Sequence, residues 1–292
     1  MKQALFYEKL AGKKVKCQLC HQACQIDSGK RGLCGVRENQ DGILSTLVYG
    51  KIVAANIDPI EKKPFYHFLP GSQSFSIATA GCNFNCANCQ NADISQITKG
   101  GKNKKIPGEE MKPQQIVDYA VESECPSISY TYTEPTIFFE FALDCMKLAH
   151  EKNLKNVWVS NGYTKTKPLE MAKPYLDAVN IDLKFFNGNT YKKICGAELQ
   201  PVLDNLVWYR NNDIWLEVTT LVIPGLNDSE KELTAIADFI KNKLGQDVPW
   251  HVSAFWPTYK LNDFPPTSQE MILQAVDIGK KIGLKNVYSG NI

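Results

Sequence analysis

The stretch Gly81–Cys89 reads GCNFNCANC and places three cysteines at Cys82-x3-Cys86-x2-Cys89, just after the apolar run Phe75-Ser76-Ile77-Ala78. A cubane iron–sulfur cluster normally takes four thiolates. A compact loop offering three leaves one iron open, and an open iron can bind a reactant. A second group of cysteines precedes it, Cys17-x2-Cys20-x3-Cys24-x9-Cys34, interleaved with His21, Gly29, Gly32 and Gly35. Four thiolates on a short glycine-rich segment suit a closed tetrahedral zinc site or a four-cysteine iron–sulfur cluster, and the spacing does not choose between them. Packing of small buried hydrophobes is the alternative to metal. His21 is expected outside the ligand set, because four thiolates already close the site.

The setting supports metal over disulfides. With 292 residues, 43% of them hydrophobic, the chain can bury a large core. A net charge of +2 gives no reason to expect nucleic acid or an anionic membrane as partner. The opening MKQALFYEKLAGKK lacks the apolar core of a signal peptide, and no later stretch approaches the roughly 20 apolar residues of a membrane span. A cytoplasmic location follows as the expectation, and in a reducing compartment ten cysteines point to metal. The three outside the two groups are Cys125 and Cys145, expected in the core, and Cys195, expected to be structural with a thiyl or ligand role as the alternative.

These groups need a scaffold. Residues 43–49 and 51–55 flank Gly50 and predict a small hairpin. Asp58-Pro59 and Leu69-Pro70-Gly71 then punctuate the way to a larger unit. From residue 74 short β-rich runs recur at 74–80, 127–133, 156–160, 178–184, 214–223 and 250–256, with a last short strand over 286–289. Between them lie amphipathic helices, one starting at Pro113 and one over 136–150. Asn227-Asp228 is expected to cap the next, and Thr267 with Glu270 to form a capping box for the last, which ends near Gly283. The domains predicted are 1–73, a cysteine-rich metal module with a hairpin, and 74–292. The fold class is α/β, with 74–292 an open, partial (β/α)6 TIM-like barrel; a doubly wound sheet is the alternative.

In either architecture reactive groups gather at the C-terminal strand ends. There the sequence puts the cysteine loop, Thr133-Glu134-Pro135, Ser160-Asn161-Gly162, Asp182-Leu183-Lys184, Pro224-Gly225 and Phe255-Trp256-Pro257. Polar or backbone-exposing residues at every strand end argue for one shared site. His251, opening the sixth run, reads as a hydrogen-bonded structural histidine or a proton carrier. Residues 98–105, TKGGKNKK, read as a solvated loop able to steer an acidic electron donor.

With these residues in place the chain resembles the radical S-adenosylmethionine enzymes, whose signature is a Cys-x3-Cys-x2-Cys loop on the first barrel strand. The likeness spans 74–260. Tyr132-Thr133-Glu134-Pro135, Asp182-Leu183-Lys184 and Val222-Ile223-Pro224-Gly225 are similar to segments of the pyruvate formate-lyase activating group. Over the whole chain, the Cys17–Cys34 module, Ile60–Pro64, Cys89-Gln90-Asn91 and Tyr191–Leu203 resemble the radical enzymes associated with AMMECR1-like and Memo-like proteins.

The resemblance implies a [4Fe–4S] cluster on Cys82, Cys86 and Cys89, S-adenosylmethionine on its open iron, and a 5′-deoxyadenosyl radical that abstracts hydrogen. It implies cofactor contacts at Glu134, Asn161, Asp182, Lys184, Pro224 and Gly225, with Lys184 at the cofactor carboxylate. Glu134-Pro135 also reads as a plain helix start, and Asp182–Lys184 as a strand-end ion pair. Partners implied are AMMECR1-like and Memo-like proteins and a flavodoxin- or ferredoxin-type electron donor. A glycyl-radical activase and a non-catalytic iron–sulfur or zinc protein are the other readings. The chain departs from the family where Asn88 replaces the aromatic residue that often precedes the last cysteine, which shifts adenine packing to a residue such as Phe84. Thr219-Thr220 likewise stand where the activating enzymes carry an arginine.

Overall fold

The computed structural model describes residues 1–100 and 105–292. Its framework, among those residues, is a nine-stranded sheet. The strands are β1 (Lys51–Pro59), β2 (Gln73–Thr79), β3 (Glu109–Glu110), β4 (Ser127–Tyr130), β5 (Lys155–Ser160), β6 (Ala178–Asp182), β7 (Trp215–Val222), β8 (Trp250–Ala254) and β9 (Val287–Gly290). Across the sheet the order is β9-β8-β7-β6-β5-β4-β2-β1-β3. From β2 to β9 every neighbouring pair is parallel, while β1 and β3 are antiparallel additions at one edge.

Helices make the parallel crossovers: α1 (Pro113–Glu122), α2 (Phe139–Glu151), α3 (Thr166–Ala172), α4 (Gly188–Cys195), α5 (Gln200–Asn211), α6 (Glu230–Phe239) and α7 (Gln269–Ile282). Each parallel strand lies beside its predecessor, without the reversal of order that defines a doubly wound sheet. The result is an open partial barrel, and one long hydrophobic core runs through it. Among the described residues no helix is long and apolar enough to cross a membrane.

Several local expectations need correction. The segment over 43–46 does not pair with β1; it joins Arg37–Gln40 and Lys2–Gln3 in a separate three-stranded sheet, and β1 pairs with β2. Strand partners are set by which faces can be buried together, not by nearness in sequence. The β1–β2 ladder also crosses the expected division at residue 73, with Ile57 opposite Phe75. Val15 and Cys34 share their core with Ile77 and Phe141, so the cysteine-rich segment is built onto the barrel wall.

Two helix caps are shifted. Ser229, whose side chain accepts from the Glu232 amide, caps α6, and Ser268 caps α7. Asn227 instead ties the turn after β7, bonding the Ile223 amide and the Lys184 and Leu221 carbonyls. Thr267 bonds the Phe255 amide and the Val222 carbonyl. Side chains that can satisfy buried backbone groups outside a helix are drawn to that task. Pro113 does occupy the first turn of α1, and Gly283, at φ +102°, ends α7.

Candidate active site

The C-terminal ends of β2 and of β4 through β8, together with Gly290 of β9, open into one cavity of about 570 Å³. Cys82, Cys86 and Cys89 line it, together with Tyr66, Tyr132 and His251. The cysteine loop leaves β2 through Gly81, at φ +104°, where a Cβ would stand 2.7 Å from Val36 Cγ1 and 3.0 Å from the Cys34 carbonyl. Only glycine fits that approach.

Backbone bonds then hang the loop on α4. The Asn85 and Ala87 amides donate to the Cys195 and Ile194 carbonyls, each at 2.9 Å. The Cys89 thiol lies 3.0 Å from Ser95 Oγ, and the Phe84 amide points at Cys82 Sγ from 3.4 Å. Burial pushes the Cys82 and Cys89 thiols up. At Cys86 the neighbouring Cys195 thiol and burial do the same.

The strand ends complete the cavity. Asn161 Nδ2 donates to Asn83 Oδ1 at 2.7 Å, fixing the loop against β5. Lys184 Nζ is 2.8 Å from Asp182 Oδ2. Burial disfavours the Lys184 charge, but Asp182 and the Cys86 and Cys195 sulfurs more than offset it and hold its pKa above the ordinary value. Asn88 Oδ1 and Asn83 Nδ2 are buried with no hydrogen-bond partner among the described residues. Three thiols, a cation and an unpaired amide oxygen lining one cavity are a donor set that fits an iron–sulfur cluster carrying an amino-acid-like ligand.

Other expected residues are arranged differently. The Glu134 carboxylate accepts from the Thr136 amide and hydroxyl, the Ser160 hydroxyl and the Asn161 amide. It is fully buried and does not line the cavity. It thus acts as a helix cap and a brace for the β5 end, because four local donors reach it first. Pro224, Gly225 and Trp256 do not line the cavity either. The turn is closed by Asp228, which accepts from the Gly225 amide, and Trp256 is more than half exposed. Phe84 does line it, with its ring held edge-on by Tyr163 and Tyr191. Lys99 is not a solvated loop residue; its ammonium donates to the Phe84 carbonyl and Asn85 Oδ1. Residues 101–104 of that stretch lie outside the described residues. Cys125 and Cys145 are core residues.

The far wall was not legible as a site. Asp58 on β1 binds Lys62, Lys63 and the Tyr132 hydroxyl, and Lys63 also lies 4.1 Å from the Tyr132 ring centre. Tyr132 enters the cavity from a left-handed backbone position, φ +61°, and β4 ends at Tyr130, three residues before the expected end. Burial and the Asp58 bond push its hydroxyl up to about 12. His251 Nε2 lies 2.6 Å from Glu217 Oε2, and that carboxylate also accepts from the Tyr66 and His67 amides. The available signal was an acidic residue, Glu217, inside a strand with no other charged residue.

The second group of cysteines is also brought together. Cys17, Cys20, Cys24 and Cys34 line one small cavity of about 20 Å³, with Arg37, Gln22 and Asn83. Burial pushes all four thiols up, and the Arg37 charge works against that at Cys17 and Cys34. His21 stays outside the set, its ring edge-on to Tyr163.

Comparison with known proteins agrees with this geometry. The Radical SAM superfamily model matches residues 76–237, from within β2 to within α6. The chain belongs to that superfamily. It is an enzyme whose cofactors are a [4Fe–4S] cluster and S-adenosylmethionine. Among relatives, the protein MJ0808 of Methanocaldococcus jannaschii is 46% identical over 292 residues, which is 100% of this chain and 86% of MJ0808. The pyruvate formate-lyase-activating enzyme of Clostridium pasteurianum is 26% identical over 188 residues, 62% of this chain and 77% of that enzyme. The fold is shared with a radical SAM methyltransferase from Sphaerobacter thermophilus, at TM-score 0.58 and 15% identity over 76% of this chain and 67% of that one.

Proposed function

We propose that this enzyme abstracts a hydrogen atom from a substrate held in the 570 Å³ cavity between the cysteine loop and the Tyr66–Tyr132–His251 wall. The observation that carries the reading is the meeting of three cysteines and the parallel strand ends on that one cavity. Its volume lies in the range of small-molecule sites. When bound, the cluster and S-adenosylmethionine supply a one-electron cleavage that yields a hydrogen-abstracting 5′-deoxyadenosyl radical.

The chain's own residues bind and orient. Cys82, Cys86 and Cys89 would hold the cluster. Lys184, steadied by Asp182, would neutralise the cofactor carboxylate, and the unpaired Asn88 oxygen would accept from a cofactor N–H or O–H donor. Asn161 keeps the loop registered on β5. Tyr66, Tyr132 and His251 shape the substrate half and restrict water there, which protects a reactive radical from side reactions. Glu134 acts one step back, by fixing the Ser160–Asn161 turn.

The test is anaerobic reconstitution followed by reduction with S-adenosylmethionine present. Formation of 5′-deoxyadenosine is expected; its absence from a chain carrying a full cluster overturns the reading. Similarity to the pyruvate formate-lyase-activating enzyme favours a second reading, in which the substrate is a glycyl-radical protein. A glycyl doublet in the EPR spectrum of an added candidate would select it. The whole-chain resemblance supports AMMECR1-like and Memo-like proteins as partners, and a flavodoxin or ferredoxin as donor. Each should raise 5′-deoxyadenosine turnover when added to the assay.

A further inference from the structure

The substrate half of the cavity contains a buried histidine with one ring nitrogen used and one unused. His251 is 4% exposed and Glu217 fully buried, and His251 Nε2 stands 2.6 Å from Glu217 Oε2. The same carboxylate accepts from the Tyr66 and His67 amides, each at 3.0 Å, and from Trp215 Nε1 at 3.1 Å. Three fixed N–H donors already point at its two oxygens, so the carboxylate is an acceptor only and its fourth partner must donate. Nε2 therefore carries the ring proton, and in the neutral ring the lone pair lies on Nδ1.

Nothing in the protein takes up that lone pair. Nδ1 has no hydrogen-bond partner among the described residues, while the side chain lines the 570 Å³ cavity. The ring is also held in place. Tyr66 packs edge-on to it with ring centres 4.7 Å apart, and Tyr288 of β9 stacks on it at 5.5 Å. The titratable groups set against the ring are thus Glu217 on β7, Tyr66 on the segment after β1 and Tyr288 on β9, whose hydroxyl bonds His67 Nε2. Two residues on, Ser253 shares the inward face of β8 and lines the same cavity, and its hydroxyl has no partner among the described residues. An imidazole oriented by a carboxylate, with its free nitrogen on a substrate cavity, is the arrangement of a general base.

We propose that His251, positioned by Glu217, takes a proton from the substrate, and that the substrate is a small hydroxylated molecule presenting an O–H to Nδ1, with Ser253 at a neighbouring hydroxyl. This rests on the reading of the cavity as the substrate site. Loss of a hydrogen atom from a carbon makes a hydroxyl on that carbon more acidic. In the step the O–H bond breaks, its electron pair stays on the oxygen, and the proton joins Nδ1. Glu217 then faces an imidazolium. No electron leaves the substrate, so the step needs no oxidant.

The full chain, reconstituted and carrying S-adenosylmethionine but without reductant, is to be treated with glycidol and, separately, with butylene oxide, which has a methyl group where glycidol has its hydroxyl. Attack of a ring nitrogen on the terminal epoxide carbon opens the C–O bond and marks the nitrogen that reacted. Labelling of His251 at Nδ1 is expected, read by peptide mass spectrometry and NMR. Glycidol should react roughly 5- to 10-fold faster than butylene oxide once each rate is scaled to free imidazole, the worth of one hydrogen bond. Nitrogen NMR of the wild type should show the ring proton on Nε2. In Glu217→Gln, whose amide donates to Nε2, the proton should move to Nδ1 and the labelling should slow. The wild-type tautomer is read directly, so a variant that fails to fold does not remove the test. No label on His251, a label on Nε2, a wild-type proton on Nδ1, or equal rates for the two epoxides each overturn the proposal. Absence of the label from a chain that forms 5′-deoxyadenosine on reduction sinks this proposal alone. The expected label without 5′-deoxyadenosine sinks the radical reading instead.

Discussion

The two groups of cysteines sit against one wall yet are built for opposite ends. Cys17, Cys20, Cys24 and Cys34 surround about 20 Å³ beside apolar neighbours and one buried arginine. Cys82, Cys86 and Cys89 face about 570 Å³ lined by Lys184, Asp182, Asn88, Tyr66 and His251. The first site has ligands enough to close and no room for a reactant. The second is one ligand short and opens onto space, polar groups and strand ends. Cysteine count and free volume thus run opposite ways in the two groups.

The sharpest way to break this comparison is to remove one thiol from each side. Cys86→Ala should abolish 5′-deoxyadenosine formation while keeping whatever metal Cys17–Cys34 binds, as read by metal analysis. Equal loss from both sites would show that they are one site.

Next in size is the support of the closed site. Glu140→Ala strands Arg37 as an unpaired buried charge. Such losses cost about 3–5 kcal/mol, and a urea melt of the full chain should show it. A cost below about 1 kcal/mol, the level of a surface pair, would mean that the pair is not buried as described.

On the open side, Lys184→Met should weaken S-adenosylmethionine binding about 10- to 100-fold by titration calorimetry. That corresponds to a charged hydrogen bond of about 1.5–3 kcal/mol. Unchanged affinity would return Lys184 to a plain ion pair with Asp182.

The smallest effect concerns pH. Burial opposes the Glu217 charge, but His251 and the Tyr66 and His67 amides hold its carboxyl below the ordinary value. A carboxyl depressed on folding contributes stability that is complete above its unfolded pKa, about 4.3. That stability is lost as pH falls through the folded value. Wild type should therefore lose stability in that acid window more steeply than Glu217→Gln in parallel melts. Identical slopes would remove Glu217 from the account.

Much of this was legible in the chain, for reasons of range. The cysteine spacings and the strand–helix alternation are local, written within a few residues of one another, and the strand ends followed from them. Glu134 shows where that stops. Its position at a strand end was correct, but only the packed turn brings the Ser160 hydroxyl and Asn161 amide to its oxygens and turns them from the cavity. The hairpin expected around Gly50 failed similarly, since β1 finds its long ladder on β2 and not on its sequence neighbour.

The sequence by itself determined where the cysteines stand and how many each group has, because residue identity and loop spacing need no partner. Tertiary structure decided what surrounds them. Arg37 meets Glu140 across 103 positions, and Glu217 meets the Tyr66 amide across 151. No local pattern encodes such pairs; burial of one continuous core brings them together. The same burial makes Cys17–Cys34 a closed site and leaves Cys82–Cys89 open.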